Sequence, residues 1–224
     1  MSISILCPTR NRTNDFLRMY YSALEKSCQP DQIEFVICVD QDDIGSQQIC
    51  GKNITSFISP PDHIYSNLHN LCASKAQHDI LMGAADDIVF RTLGWDDLVR
   101  QEFEKLDDKI AYVYPNDGAH GVNLGTHGFF HKKWFETLGY LSPPIFTIDY
   151  SDNYVMDVAR GVGRAIYLPN VLVEHMHWSF GKSEVDQTAL EGCRRRQQTD
   201  NQRIFLESSQ LIRTDITKLK KVMK

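Results

Sequence analysis

Three apolar runs in the first half of the chain each end on polar or charged residues. SISILC (2–7) leads into PTRNR, IEFVICV (33–39) runs into Asp40, and DILMGA (79–84) gives way to Asp86 and Asp87 in ILMGAADDIVF. Runs this short, rich in Ile and Val and without polar alternation, suit strands buried on both faces of a sheet. The segments between them carry helical spacing. Phe16, Leu17, Tyr20 and Leu24 mark one face over 13–27, and Ile64, Leu68, Leu71 and Cys72 mark another over 63–76. NITSFI (53–58) adds a strand before Pro60 and Pro61. This order of strands and helices predicts an α/β layered fold with parallel strands at its centre.

The second half is less regular. Residues 93–106 read as a helix, IAYVYP (110–115) as a strand, and FFHKKWFETLGYL as a strand end feeding a short helix. Ser151 is placed as the N-cap of a helix over 152–161 whose inner side carries Tyr154, Val155, Val158 and Val162. RAIYLP and VLVEHMHW read as two further strands, and the chain from 184 onward as one long helix or two. The 224 residues, 42% of them hydrophobic, are enough for a full core. No apolar stretch approaches 18 residues, the N-terminus shows no basic leader or cleavage site, and the six cysteines form no CxxC pair. A cytoplasmic protein with reduced thiols is expected.

Open α/β sheets bind ligands beyond the carboxyl ends of their strands, so PTRNR, Asp40 and the Asp86–Asp87 pair are expected at one rim. Neighbouring carboxylates raise each other's cost of ionisation unless a cation stands beside them. Divalent metal binding meets that requirement, and the plainer alternative is that the pair caps a turn or the next helix. No GxGxxG follows the first strand, and GKNI (51–54) lacks a phosphate loop's glycines. His175 and His177 alternate about Met176 and would face one side of a strand about 6.6 Å apart. The loop 116–128, with four glycines and two histidines, is expected to face a substrate, with His127 and Gly128 on the acceptor side and His131 a further donor. Trp95, Trp134 and Trp178 are equally suited to a stacking platform for a ligand or to the core.

Taken in order, ISILCPTRNRTNDFLRMYYSALEK, FVICVDQDD, HDILMGAADDIVFRTLGWDDLV, GTHGFFHKKWFETLGYL, TIDYSDNYVMDVARGVGRAIYLP and VLVEHMHW resemble the family 2 type glycosyltransferases of the GT-A fold, over residues 2 to about 180. The resemblance implies a single Rossmann-like sandwich with a mostly parallel mixed sheet. It implies a nucleotide-sugar half at 1–92 and an acceptor half at 93–181, with 182–224 as a helical extension. A nucleoside-diphosphate sugar, UDP-sugar favoured, would be bound by Pro8, Thr9, Arg10, Asp40, Asn70, Lys75 and Asp86. Mn²⁺ or Mg²⁺ would lie between Asp86 and His175, with Asp87 and His177 as lesser candidates. The family's Asp-any-Asp is Ala84-Ala85-Asp86 here, so its leading acid is missing. Asp152, with Asp149 as runner-up, falls where inverting members carry their general base.

A nucleotidyltransferase and a non-catalytic nucleotide-sugar or carbohydrate-binding relative are the rival readings. The acceptor stays open among glycan, lipid-linked and other hydroxyls. The net charge of −5 disfavours bulk nucleic-acid binding. Residues 182–224 nonetheless hold ten Lys and Arg against six Asp and Glu, a net of +4 that leaves −9 on the rest. Leu211, Ile212, Ile216, Leu219 and Met223 form an apolar face there, suited to a weak peripheral membrane contact, a homodimer, or packing on the chain's own domain.

Overall fold

The computed structural model describes residues 1–59 and 64–224, so the expected ends of the third strand at Pro60 and Pro61 lie outside the described residues. Among the described residues eight strands form one sheet: β1 (Ile3–Thr9), β2 (Ile33–Asp40), β3 (Ile54–Ser59), β4 (Ile80–Gly83), β5 (Ile88–Phe90), β6 (Tyr112–Asn116), β7 (Phe129–His131) and β8 (Ala165–His175). Their order is β3-β2-β1-β4-β7-β6-β8-β5. The β3, β2, β1 and β4 neighbours run parallel, as do β6 and β8, whereas β7 is antiparallel to both its neighbours and β5 is antiparallel to β8. This is the expected α/β architecture with a mixed, mostly parallel central sheet.

Side-chain alternation along β1 explains how the sheet builds two cores. Ile3, Ile5 and Cys7 face one side with Phe35 and Ile37 of β2. Helix α1 (Thr13–Glu25) covers them with Phe16, Met19 and Tyr20, and α3 (Trp95–Glu104) adds Trp95, Val99 and Phe103. Leu6, Val36 and Cys38 face the other side, under α2 (Tyr65–Lys75), α4 (Lys132–Leu138) and α5 (Ser151–Gly161). Trp95 and Trp134 are fully buried in these layers, so both are core.

β1 runs through Pro8 to Thr9 rather than stopping at the proline. The Leu6 carbonyl accepts from Ala84 N, so Leu6 and, by alternation, Pro8 turn their backbone toward β4. β4 ends at Gly83, so at Pro8 no ladder bond is lost. Helix α2 also departs from expectation. Cys72 is buried and Leu68 packs half-buried on the core as expected, but Ser66, His69 and Ala73 rather than Ile64 and Leu71 complete the buried face, because the helix's polar residues serve backbone carbonyls. Ser66 Oγ donates to Phe146 O, and His69 Nε2 lies 3.0 Å from Ala84 O.

Two further expectations are corrected in the second half. RAIYLP and VLVEHMHW form one long strand, β8, which pairs with β6 through its first part and with β5 through Val173–His175. A register irregularity opposite Pro115 and Asn116 lets the strand bend between these partners. Ser151 is not the N-cap of α5. Tyr150 caps it from the left-handed region at φ 70°, with no side-chain cap bond, and Ser151 is buried in the first turn.

The C-terminal region folds as three helices, α6 (Gln187–Gln198), α7 (Asn201–Glu207) and α8 (Ser209–Val222). The apolar face of α8 lies on the chain's own domain. Leu219 is fully buried, and Ile212, Ile216 and Met223 pack around it. Asp215, also buried, accepts hydrogen bonds from Tyr140 Oη at 2.6 Å and Tyr154 Oη at 2.7 Å, which ties α8 to α5 and to the turn after α4.

Candidate active site

The carboxyl ends of β1, β2 and β4 open on one cleft of about 280 Å³, at the small end of the roughly 300–1,000 Å³ typical of small-molecule sites. Pro8, Thr9, Arg10 and Asp40 line it, with Asp86 and Asp87 from the turn between β4 and β5. His127 reaches it from the glycine-rich loop, Asp149 and Asp152 from the start of α5, and His175, His177 and Trp178 from the end of β8. Residues far apart in sequence therefore meet at the rim where the sheet topology places them.

Two expected donor contacts stand elsewhere. Asn70 donates from Nδ2 to Ser142 O at 2.8 Å and accepts from Leu141 N, fastening α2 to the following loop. Lys75 is exposed at the far end of α2. His131 caps α4, accepting from Lys133 N, and burial lowers its pKa to about 4. Gly128 faces a small neighbouring cavity, where a Cβ would come 2.0 Å from the Tyr112 ring, so at this position the close approach is made by a tyrosine.

Around the acidic pair the geometry is tight. Thr9 Oγ1 donates to Asp86 Oδ2 at 2.9 Å, and Arg12 Nη1 donates to Asp86 Oδ1 at 3.2 Å. Burial pushes Asp86 up to about 7, with the Asp87 charge adding to the rise and Arg12 opposing it. Asp87 suffers the same burial, but His175, His127 and Arg12 outweigh it and hold the carboxyl well below the usual range. His175 Nε2 lies 3.3 Å from Asp87 Oδ1. The His127 ring is 4.6 Å from that of His175, and burial beside that neighbour lowers it to about 3, so it is neutral at pH 7. Both of its nitrogens and His175 Nδ1 are buried without a hydrogen-bond partner. β8 stops at His175, so His177 does not continue its face. The two rings still stand 5.2 Å apart, and His177 Nδ1 caps the turn at 178–180.

These positions test the expected metal. A divalent ion held by protein needs several oxygens or imidazole nitrogens converging on one point. Among the described residues no three His, Cys, Asp or Glu side chains do so. Asp86 already has one oxygen on a hydroxyl and the other on a guanidinium, and His175 faces Asp87 rather than Asp86. The residues as placed do not fit a metal at Asp86.

Asp149 and Asp152 differ in how they are held. Arg196 Nε donates to both oxygens of Asp149, at 3.1 and 2.9 Å. Among the described residues no cation is bonded to Asp152. Burial pushes its pKa up to about 7, with Asp149 adding to the rise and His175 opposing it.

The wall that sequence reasoning missed is α6, which contributes Thr188, Gly192, Arg195 and Arg196 to the cleft. Thr188 Oγ1 donates to Arg10 O, and Glu191 meets Arg10 Nε at 3.2 Å. The run of arginines at 194–196 was the one signal available. Arg12, inside the PTRNR segment yet given no role of its own, is the other omission.

No family model matches the sequence, and no curated protein matches it. Solved structures do match in shape. A mannosyltransferase from Pyrobaculum calidifontis, PcManGT, in complex with GDP-Man and Mn²⁺ superposes with a TM-score of 0.62 at 14% identity, over 77% of this chain and 56% of that one. S. aureus TarS superposes at 0.62 and 11% identity, over 77% and 36% of the two chains. Its residues 1–349 in complex with UDP superpose at 0.60 and 12%, over 78% and 60%. The chain shares its fold with this mannosyltransferase and with TarS. Identities this low establish the fold alone, and the chain spans between about one third and three fifths of the length of these structures. In this shared fold the cleft lies where the parallel strands end.

Proposed function

We propose that the protein transfers a sugar from a nucleoside-diphosphate sugar, UDP-sugar favoured, to an acceptor hydroxyl with inversion at the anomeric carbon. The observation that carries this reading is Asp152, on the cleft, with a pKa of about 7 and, among the described residues, no cation bonded to it. A general base works best when its pKa lies near the working pH, and an ordinary aspartate is too weak. Asp149 is already committed to Arg196, which makes it a support for α6 rather than a proton acceptor.

In this mechanism the donor's nucleotide lies along the ends of β1 and β2, between Pro8–Arg10 and Asp40. An acceptor hydroxyl gives its proton to Asp152 as its oxygen bonds to the anomeric carbon. The bond from that carbon to the diphosphate breaks, and the electron pair leaves with the nucleoside diphosphate. Fixed positive groups in a cleft shielded from water stabilise that developing charge far better than solvent would. His127, neutral and with both ring nitrogens unspent, is suited to hold a sugar or acceptor hydroxyl.

Single-turnover transfer by Asp152→Asn and Asp149→Asn, with donor affinity measured alongside, tests the assignment. Asp152→Asn is expected to bind donor within a few-fold of wild type and to slow transfer by roughly 10² or more. Transfer that survives in Asp152→Asn but collapses in Asp149→Asn moves the base to Asp149. Retained anomeric configuration rejects the displacement itself. Donor binding without turnover on any hydroxyl acceptor favours a binding protein instead.

A further inference from the structure

Arg12 follows β1 in the turn that leads into α1, with its side chain 15% exposed. Its Nη1 donates to Asp86 Oδ1 and lies 3.9 Å from Asp87 Oδ2. Its Nε and Nη2 form a fork on Asp186, at 2.6 and 2.9 Å. One guanidinium is thus ringed by three carboxylates from two distant parts of the chain. The two sides of the ring are not alike. Asp86 and Asp87 are 7% and 9% exposed in the turn between β4 and β5, where the sheet fixes them. Asp186 is 39% exposed and sits at the entrance to α6. A fork of two parallel N–H bonds suits a phosphate as well as a carboxylate, and an aspartate seated in one occupies a phosphate's place. Arg10 shares only part of the pattern: Asp40 is its buried partner and Glu191 of α6 meets its Nε, but its fork lies on the exposed Asp42.

We propose that Arg12, fixed from behind by Asp86 and Asp87, is the cation that receives the donor's diphosphate, and that Asp186 holds this place until the nucleotide displaces it. The inference rests on the donor reading above. It gives the acidic pair a purpose without a divalent ion: two buried carboxylates need a neighbouring positive charge, and the guanidinium supplies it while they aim it at the cleft. Exchange of Asp186 for a diphosphate preserves the fork, so little is lost at Arg12. It also detaches the entrance of α6, because Asp186 caps that helix by accepting from Ala189 N.

Calorimetric titration with UDP and GDP, and with uridine and guanosine as controls lacking phosphate, tests this in Mn²⁺ and in EDTA. The wild-type protein is expected to bind its nucleotide within about twofold in the two conditions. Asp186→Asn keeps a side chain able to cap α6 but removes the competing charge, and should tighten nucleoside diphosphate several-fold while leaving the nucleoside unchanged. Arg12→Gln should weaken the diphosphate by about tenfold or more in both conditions, the scale of a charge-assisted hydrogen bond, again sparing the nucleoside. Diphosphate binding that collapses in EDTA overturns the role of Arg12 while leaving the donor reading intact. Asp186→Asn that binds diphosphate no tighter, or more weakly, overturns the displacement. Failure of wild type to bind any nucleotide or nucleotide sugar overturns both readings. Should Arg12→Gln not fold, Asp186→Asn, altered at a half-exposed site, carries the test alone.

Discussion

Replacing Asp152 by asparagine should stabilise the protein in a way that only a half-buried, desolvated carboxylate explains. A free aspartate titrates near 3.8, whereas Asp152 in the fold titrates at about 7 because burial disfavours its charge. As pH rises from about 4, the unfolded chain therefore ionises this group first, and the folded state loses stability relative to it. The loss grows by ~1.4 kcal/mol per pH unit until about pH 7 and is constant above, a ceiling of about 4 kcal/mol. Asparagine has the same shape and no charge, so the variant escapes the loss. Urea unfolding of both proteins at pH 5 and pH 8 is the assay. The gain from Asp152→Asn should exceed that at pH 5 by roughly 2–3 kcal/mol at pH 8, a midpoint shift on the order of 1 M. A gain equal at both pH values, or a variant less stable than wild type at pH 8, refutes the claim that burial raises this group. The same substitution should abolish most transfer, the combination expected where a site keeps a costly group for its chemistry.

Three other expectations follow from the same geometry. Single-turnover transfer should rise about tenfold per pH unit up to about pH 7 and then level, as Asp152 loses its proton; a flat profile from pH 5.5 to 8 contradicts its role as base. Gly128→Ala places a Cβ 2.0–2.5 Å from two ring carbons and the hydroxyl of Tyr112, which is buried against Phe130, and should cost about 2 kcal/mol or more in thermal unfolding. Asp215→Ala leaves the Tyr140 and Tyr154 hydroxyls without their acceptor and should cost roughly 2–4 kcal/mol in urea, with earlier proteolytic loss of α8; an unchanged midpoint shows that α8 adds nothing to the fold.

The central sheet was legible because its strands are buried on both faces, so Ile5, Val36 and Leu81 leave an unbroken apolar signature. β5 escaped notice because three residues, Ile88–Phe90, are too few to show a period. Pro169 and Asn170 divided β8 on paper. In the fold they are the exposed part of a strand that changes partners there. The inner face of α2 was misread in part because His69 and Ser66 bury polar atoms against backbone carbonyls, which hydrophobic spacing cannot reveal. At the site, PTRNR, Asp40 and the Asp86–Asp87 pair could be placed together because strand ends converge, whereas Asp152 and His175 came only from the family resemblance. Helix α6 could not, because it closes the cleft through Glu191, Arg196 and the Asp186 that caps it, by charge rather than by an apolar stripe.

The central claim is that this cleft binds a nucleoside-diphosphate sugar. Calorimetric titration of the protein with a panel of UDP- and GDP-sugars tests it most directly, with the parent nucleotides and free sugars as controls. Saturable one-to-one binding of one nucleotide sugar, lost when Asp40 and Arg10 at the ends of β2 and β1 are both replaced by alanine, is the predicted result. No binding by any nucleotide or nucleotide sugar, in Mn²⁺ or in EDTA, would contradict it.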